Sequence, residues 1–218
     1  AIDIAPTYAG AHAALGSIEA EAGRVPQGIK RLKLAHELDP TSPFPIADLT
    51  RTYALQGMWP EVDQMLGQLA HVASHPALLN LRMRVAMWRG RREEAMRVYE
   101  EARRTPVPIS HFTAVGVSAY LHAPAGDEVV QQLAAVTPKT MSPRFRALFG
   151  QVTTEILCAI EENELALEAL AQAADGSLID VEWLERCPVL APIRSTPVYA
   201  AALEKVRARV ADIWSVTV

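Results

Sequence analysis

The sequence predicts an all-α fold in which antiparallel pairs of helices stack along the chain. Three glycines that separate amphipathic stretches, Gly23, Gly57 and Gly90, lie 34 and 33 residues apart. A fixed period in this range is typical of stacked helical hairpins. Half of the 218 residues are apolar and a fifth are charged, which indicates a folded chain. One hairpin cannot bury its own apolar face, so neighbouring hairpins are expected to share a core.

The stretch 9–42 carries this pattern most clearly. Two amphipathic helices, predicted over 9–22 and 25–38, meet at Gly23, a residue that adopts a positive φ at little cost. Asp39-Pro40 closes the pair. Small residues at matching positions are expected to let two helix backbones approach closely; these are Gly16, Gly28, Ala35 and Ala95.

The same reasoning predicts the later helices. They are expected over 43–56, 59–72, 76–89, 92–104, 110–122, 127–136, 143–161 and 196–214, with another after Asn163 and a short one before Pro188. Pro26 and Pro60 fall in first turns, where a missing N–H costs little. Ser110 and Asp127 are expected to cap the helices that they begin. Asn163 is expected to take a left-handed turn conformation.

These residues resemble the tetratricopeptide repeat (TPR) family. Matches to its pattern are Leu15, Gly16, Gly23, Gly28, Ala35 and Pro40 in repeat one, Leu49, Tyr53, Gly57 and Leu66 in repeat two, and Gly90, Ala95, Tyr99 and Ala102 in repeat three. Departures from the pattern are Thr50, Val62, Leu69, Arg82 and Met83. The resemblance implies a right-handed superhelix of helix pairs with a concave groove that serves protein–protein contact.

The resemblance also divides the chain into four parts. Residues 1–8 resemble the end of an upstream repeat, 9–108 contain three clear repeats, 109–175 contain two degenerate repeats, and 176–218 form a proline-rich segment with a capping helix. In the fifth repeat, Ala166, Leu170 and Ala173 take the small-large-small positions.

Because residues 1–8 resemble the end of an upstream repeat, we expect a chain cut from a longer protein, or one that has lost an upstream helix. The alternative is a native start with a decayed half-repeat.

The last segment resembles a terminal pattern of bacterial TPR proteins. Its matching residues are Trp183, Leu184, Pro188, Leu190, Pro192, Ile193, Arg194, Pro197, Tyr199 and Leu203. In that group the array often forms the C-terminal part of Ser/Thr protein kinases, nucleotide cyclases or transcriptional regulators. The final helix is expected to bury one face and cap the array. The predicted inner residues are Val198, Ala202, Val206, Val210 and Ile213, and the outer ones are Glu204, Lys205, Arg207 and Arg209.

In a TPR array the first helix of each repeat lines the groove. The resemblance places nine residues there: Ser17, Glu21, Phe44, Arg51, Leu55, Asn80, Arg84, Met87 and Trp88. Arg51 and Arg84 occupy the same place in adjacent repeats and would suit a carboxylate or an acidic peptide, because a guanidinium group binds carboxylates in a bidentate manner. Phe44 and Trp88 would supply apolar anchors. The alternative is a solvated groove that binds nothing in particular.

Other classes of site are disfavoured. The net charge of −4 lacks the basic excess typical of nucleic-acid binding. Eight arginines between Arg82 and Arg104 are interleaved with acids, and pairs such as Glu100–Arg104 indicate a salt-bridged surface rather than an RNA-binding stripe. His71 and His75 are spaced like metal ligands, but two histidines do not complete a coordination sphere. No catalytic or cofactor motif occurs, so we expect no enzyme, metal or cofactor.

The cysteines and the hydropathy indicate the compartment. Cys158 is predicted to be a core residue, and Cys187, before Pro188, is predicted to lie in an exposed loop where a redox role is open. Two free thiols favour a reducing cytosol, and no apolar run reaches the about 20 residues that span a bilayer. We therefore expect a cytoplasmic protein.

Together these patterns predict a protein–protein interaction or scaffold module. We expect it to be the C-terminal regulatory or sensory part of a larger bacterial signalling protein, such as a Ser/Thr kinase, with a protein or peptide as its partner and an acidic one favoured. Two alternatives stay open: a small-ligand-sensing regulatory domain, and a self-association module.

Overall fold

A computed structural model describes residues 6–69, 75–105, 107–137 and 140–216, and every regular element in those ranges is a helix. This confirms the all-α prediction. The helices are α1 (Ala9–Glu21), α2 (Val25–Leu38), α3 (Pro43–Leu55), α4 (Trp59–Gln68), α5 (Pro76–Trp88), α6 (Arg92–Ala102), α7 (Pro108–His122), α8 (Gly126–Val136), α9 (Pro143–Ala159), α10 (Asn163–Asp175), α11 (Val181–Arg186), a 3₁₀ helix (Pro188–Ile193) and α12 (Pro197–Ser215).

The chain divides into two compact units. Unit one takes the chain up to Ala73 together with Ile179–Arg186, and so contains α1–α4 and α11. Unit two takes Ser74–Leu178 and Cys187–Val218, and so contains α5–α10, the 3₁₀ helix and α12. Within each unit, helices pack mostly on their neighbours in sequence: α1 on α2 and α3 on α4 in unit one, and α9 on α10 in unit two.

The three periodic glycines adopt the backbone conformation that the sequence predicts for them. Their φ angles are 82° at Gly23, 72° at Gly57 and 64° at Gly90. Of the two later turns, the one between α7 and α8 has Ala123 with a φ of 46°, and the one between α9 and α10 has Glu161 with a φ of 67°. The prediction of Asn163 for this role is wrong, because Asn163 is already the first residue of α10.

Glu161 therefore carries a backbone strain that glycine would relieve. We expect Glu161→Gly to raise the free energy of unfolding by about 1 kcal/mol, because a left-handed conformation costs an L-residue about 1–2 kcal/mol and the glycine loses part of this gain to chain entropy. Glu164→Gly, in the first turn of α10, is the matched control and is expected to lose about 1 kcal/mol. Urea denaturation of both variants measures these changes, and a lower free energy of unfolding for Glu161→Gly would contradict the prediction.

Close contact between α1 and α2 depends on two glycines. A Cβ placed on Gly28 would lie 2.6 Å from the backbone N of Ala20 and 2.7 Å from the carbonyl O of Gly16. The two helix backbones are therefore in direct contact, as the small residues predict. Ala35 and Ala95, the other two small positions, are fully buried.

Several helix boundaries differ from their predictions. Helix α7 begins at Pro108, which is preorganised for a first turn, so Ser110 lies inside the helix and is fully buried; its assignment as a cap is wrong. Asp127 is likewise not a cap: it lies in the first turn of α8, after Ala125 as N-cap, where an acid favours the helix dipole. Pro26 and Pro60 lie in the first turns of α2 and α4, as predicted, and the predicted end of α4 at residue 72 lies outside the described residues.

The last helix, α12, forms close to its predicted bounds, but its buried face differs from the predicted one. Val198 is 43% exposed, whereas Tyr199, Ala202 and Val206 are buried, so the prediction of Val198 as an inner residue is wrong. Helix α12 packs on α10.

The prediction that Arg209 faces outward is also wrong. Its guanidinium donates hydrogen bonds to the carbonyl oxygens of Leu178 and Ala174, the latter at 3.0 Å. These carbonyls lie at the C-terminal end of α10 and just beyond it, where a helix leaves acceptors unsatisfied and favours a cation. The Arg209 side chain is long enough to reach these carbonyls although the residue lies on a face of α12 outside the core.

Across the described ranges, each helix is too short or too polar to cross a membrane.

Candidate functional site

The nine predicted groove residues lie on three helices. Ser17 and Glu21 are on α1, Phe44, Arg51 and Leu55 are on α3, and Asn80, Arg84, Met87 and Trp88 are on α5. The first five belong to unit one and the last four to unit two. Phe44 is the most exposed of them, at 54%. Glu21 and Arg51 are half-buried. The other six are less than 9% exposed: Ser17, Leu55, Asn80, Arg84, Met87 and Trp88.

In unit one, Arg51 forms an ion pair with Asp180, a residue 129 positions later in the chain. Asp180 has two roles, because its second carboxylate oxygen accepts a hydrogen bond from the backbone N of Trp183 at 2.9 Å. That contact is the N-cap geometry that begins α11. Both side chains are largely removed from solvent, with 13% of Arg51 and 2% of Asp180 exposed, so water screens their attraction less than at an open surface.

A second polar contact joins the same two helices. The side-chain amide of Gln56 donates to Glu182 at 2.9 Å. Between these contacts the apolar residues of the segment 179–186 are buried: Trp183 and Leu184 are 0% exposed and Val181 is 8% exposed. Ser17, on α1, donates its hydroxyl to Asp48 of α3, which ties together the two helices that hold the segment.

In unit two, Arg84 pairs with Glu155 of α9. The guanidinium Nε lies 3.0 Å from Oε2 and Nη2 lies 2.6 Å from Oε1. Both side chains are buried, 2% and 0% exposed. The Arg84 guanidinium also lies 5.1 Å from the ring centroid of Trp88, within the range of a cation–π contact. Arg84 is thus committed to partners inside unit two.

The remaining predicted residues of α5 are core residues. Asn80 donates to the Thr113 hydroxyl at 3.4 Å. Met87 and Trp88 are 4% and 6% exposed. The use of Trp88 as an apolar anchor for a partner stays a prediction, and it would require unit two to open around that side chain.

Both cysteines are buried thiols. Burial, and secondarily the Glu155 carboxylate, raises the pKa of Cys158 from 9.0 to about 12. Cys187 is fully buried, with Sγ 3.8 Å from a Glu155 oxygen, so the prediction of an exposed Cys187 is wrong. Its chain position before a proline looked like a loop, but the 3₁₀ helix that follows draws it into the core of unit two.

We expect neither thiol to react with Ellman's reagent in the folded protein, because both are buried and the reagent needs an accessible thiolate. Ser195→Cys, at an exposed position, should react at once and serves as the positive control. Stoichiometric labelling of native wild-type protein at pH 8 would contradict this expectation.

The folded-state pKa of Cys158 is raised, so its contribution to the free energy of unfolding is complete below pH 9.0 and declines as the pH rises towards 12.

Several arginines of the arginine-rich run form ion pairs with acids of the same run, in line with the predicted salt-bridged surface. Arg82 pairs with Glu101 at 2.6 Å, and Arg104 approaches Glu100 at 3.9 Å. The histidine pair is half outside the described residues: His71 is not described, and the ring of His75 accepts a hydrogen bond from the backbone N of Ala77. Among the described residues, no group of three or more His, Cys, Asp or Glu side chains is placed to hold a metal ion.

Comparison with protein-family models and with curated proteins gave no match for this chain. Its function is therefore argued from the geometry of the molecule.

Sequence reasoning missed the two acidic partners, Asp180 and Glu155. Each had a signal. Asp180 stands at the N-cap position before the short helix 181–186. Glu155 is the one acid within the mainly apolar run 152–160, where an ionised side chain requires a buried cation. Neither signal states which arginine each acid meets.

Proposed function

We propose that this chain is a protein–protein interaction or scaffold module with the superhelical architecture of the TPR family. In this proposal it is the C-terminal regulatory part of a larger bacterial signalling protein, such as a Ser/Thr kinase. The support is the recurring hairpin with a left-handed residue at each turn and the chemistry of one helix face.

The observation that carries the proposal is the face of α3. Phe44, Arg51 and Leu55 are spaced seven and four residues apart, so they lie along one side of the helix. The C-terminal half of this side contacts the acidic segment through Arg51. The N-terminal half presents Phe44, which is 54% exposed. Aromatic residues are enriched at protein interfaces relative to the rest of the surface, and an exposed phenylalanine on this side of α3 is such a residue.

A small-ligand sensor is less well supported. A pocket between α9 and α10 in unit two has a volume of about 170 Å³ and is lined by Pro143, Arg146, Ala147, Gln172, Ala173, Gly176 and Ser177. Drug-sized ligands occupy clefts of about 300–1,000 Å³. The pocket is therefore too small for a nucleotide or a comparable effector.

Site-specific photo-crosslinking tests the proposed interaction. Benzoylphenylalanine at position 44 is expected to give a discrete adduct with a partner protein in cells of the source organism. Phe145, on α9, is the matched control because it is the same residue type with the same 54% exposure and lies outside the predicted groove. Identical adducts from positions 44 and 145, or none from position 44, would contradict the interaction.

The regulatory role has its own test. An antibody against this chain should detect a native polypeptide several tens of kilodaltons heavier than 23.8 kDa. The additional sequence would then identify the activity under regulation. A native band at 23.8 kDa would instead indicate a stand-alone adaptor.

A further inference from the structure

Residues 179–186 belong to a different unit from the residues on both sides of them. Ile179–Arg186 is part of unit one, whereas Leu178 and Cys187 belong to unit two. The segment packs on α1 and α3. A stretch of eight residues from the far end of the chain is thus held by two helices that precede it by more than a hundred residues.

The contacts of the segment are those by which a receptor holds a short helical peptide. Arg51 donates a charge-assisted hydrogen bond to Asp180, and such bonds are stronger than those between neutral groups. Gln56 binds Glu182. The apolar side chains of Trp183 and Leu184 are fully buried, and tryptophan is one of the residue types enriched at binding hot spots. Helix-in-groove recognition uses the same division between anchors and polar contacts.

We propose that the face of α1 and α3 is a docking site for an acidic helical peptide with aspartate followed three residues later by Trp-Leu, and that residues 179–186 are its displaceable resident occupant. This inference rests on the proposed interaction function, and it specifies the chemistry of the partner that the site binds. A partner peptide with this pattern binds by displacing the segment, so the segment regulates access to the site.

The resident segment has the advantage of being tethered. Its effective concentration at the face is high, and a peptide in solution competes with it only in proportion to the fraction of molecules in which the face is vacant. Weakening the resident contact without altering the face should therefore tighten peptide binding. Asp180→Asn does this, because it removes the charge that Arg51 binds while asparagine remains a good N-cap for α11.

The test is fluorescence anisotropy with a labelled synthetic peptide of residues 177–186 and the full 218-residue chain. The Asp180→Asn chain is expected to bind this peptide at least tenfold more tightly than the wild-type chain. Asp175→Asn is the matched control, since Asp175 pairs with Lys205 on the surface of unit two, and it should bind like the wild type. The tighter binding should be lost when Arg51→Met is added to the Asp180→Asn chain. It should also be lost when the peptide carries Asp180→Lys. Equal binding by Asp180→Asn and the wild type overturns the proposal.

Hydrogen exchange on the wild-type chain decides the matter if Asp180→Asn does not fold. The backbone amides of Trp183 and Leu184 should exchange at least tenfold faster than that of Leu32, in the core of unit one, because the segment opens without the unit unfolding. Equal rates would mean that the segment leaves only when unit one unfolds, which overturns the proposal. This outcome is distinct from failure of the interaction function, which is read from crosslinks at Phe44.

Discussion

Replacing Arg84 with methionine is expected to lower the free energy of unfolding by about 3–5 kcal/mol, because it leaves a buried carboxylate without its cation. Glu155 is fully buried, and three of its short contacts are to the Arg84 guanidinium. Methionine has a similar length and fills most of the space, so the loss reports the charge rather than a cavity. Chemical denaturation followed by far-UV circular dichroism measures it.

Two further variants separate the buried pair from ordinary charge loss. The double variant Arg84→Met/Glu155→Leu should recover most of the loss, because a buried ion pair is often replaced by apolar side chains at little net cost. Arg104→Met removes an exposed partner of Glu100, 78% and 48% exposed, and should cost less than about 0.5 kcal/mol. A double variant as unstable as Arg84→Met would show that the pair itself is not the source of the loss.

Adding one methyl group at Gly28 is expected to destabilise the protein by about 2 kcal/mol, within the range for overpacked cores. The new Cβ would lie 2.6 Å from the backbone N of Ala20 and 2.7 Å from the backbone O of Gly16. Backbone atoms cannot rotate away as a side chain does, so α1 and α2 must move apart. The loss of contact outweighs the about 1 kcal/mol that alanine gains over glycine in a helix.

Gly67→Ala isolates that helix-propensity gain. Gly67 lies in α4, and a Cβ there would have no atom within 4 Å. It should stabilise the protein by about 0.5–1 kcal/mol. The two variants make the same chemical change in helices of unit one, so an opposite sign is the diagnostic result. Stabilisation by Gly28→Ala would mean that the two backbones are not in forced contact.

The sequence alone was sufficient for the helical class and for the three glycine turns. Gly23, Gly57 and Gly90 adopt the positive φ that their spacing predicts, and the pairs α1–α2 and α3–α4 begin where the pattern places them. These features are local, since a turn glycine or a first-turn proline acts through its own backbone. Two of the errors are local choices between near neighbours: Glu161 rather than Asn163 takes the left-handed turn, and Tyr199 rather than Val198 faces the core.

The candidate site was predictable only in part. The sequence placed Arg51 and Arg84 at equivalent positions and associated both with carboxylates, and each does contact a carboxylate. These carboxylates belong to the chain itself, to Asp180 and Glu155, whose pairing spans 129 and 71 positions. Phe44 alone among the nine predicted residues is more than half exposed. Periodicity could not reveal this, because it assigns a side to each helix and not the neighbour that covers it.

The sequence by itself therefore determined the all-helical class, the period of the hairpins and the small residues at which backbones meet. Those properties follow from single-residue conformational preferences and from the 3.6-residue repeat of the helix. Only the tertiary structure decided that an acidic segment from the C-terminal part lies on α1 and α3, and that Arg84 is enclosed with Glu155. Long-range pairing depends on which apolar faces and charges the completed fold brings within contact, and that information is not local to any stretch of the chain.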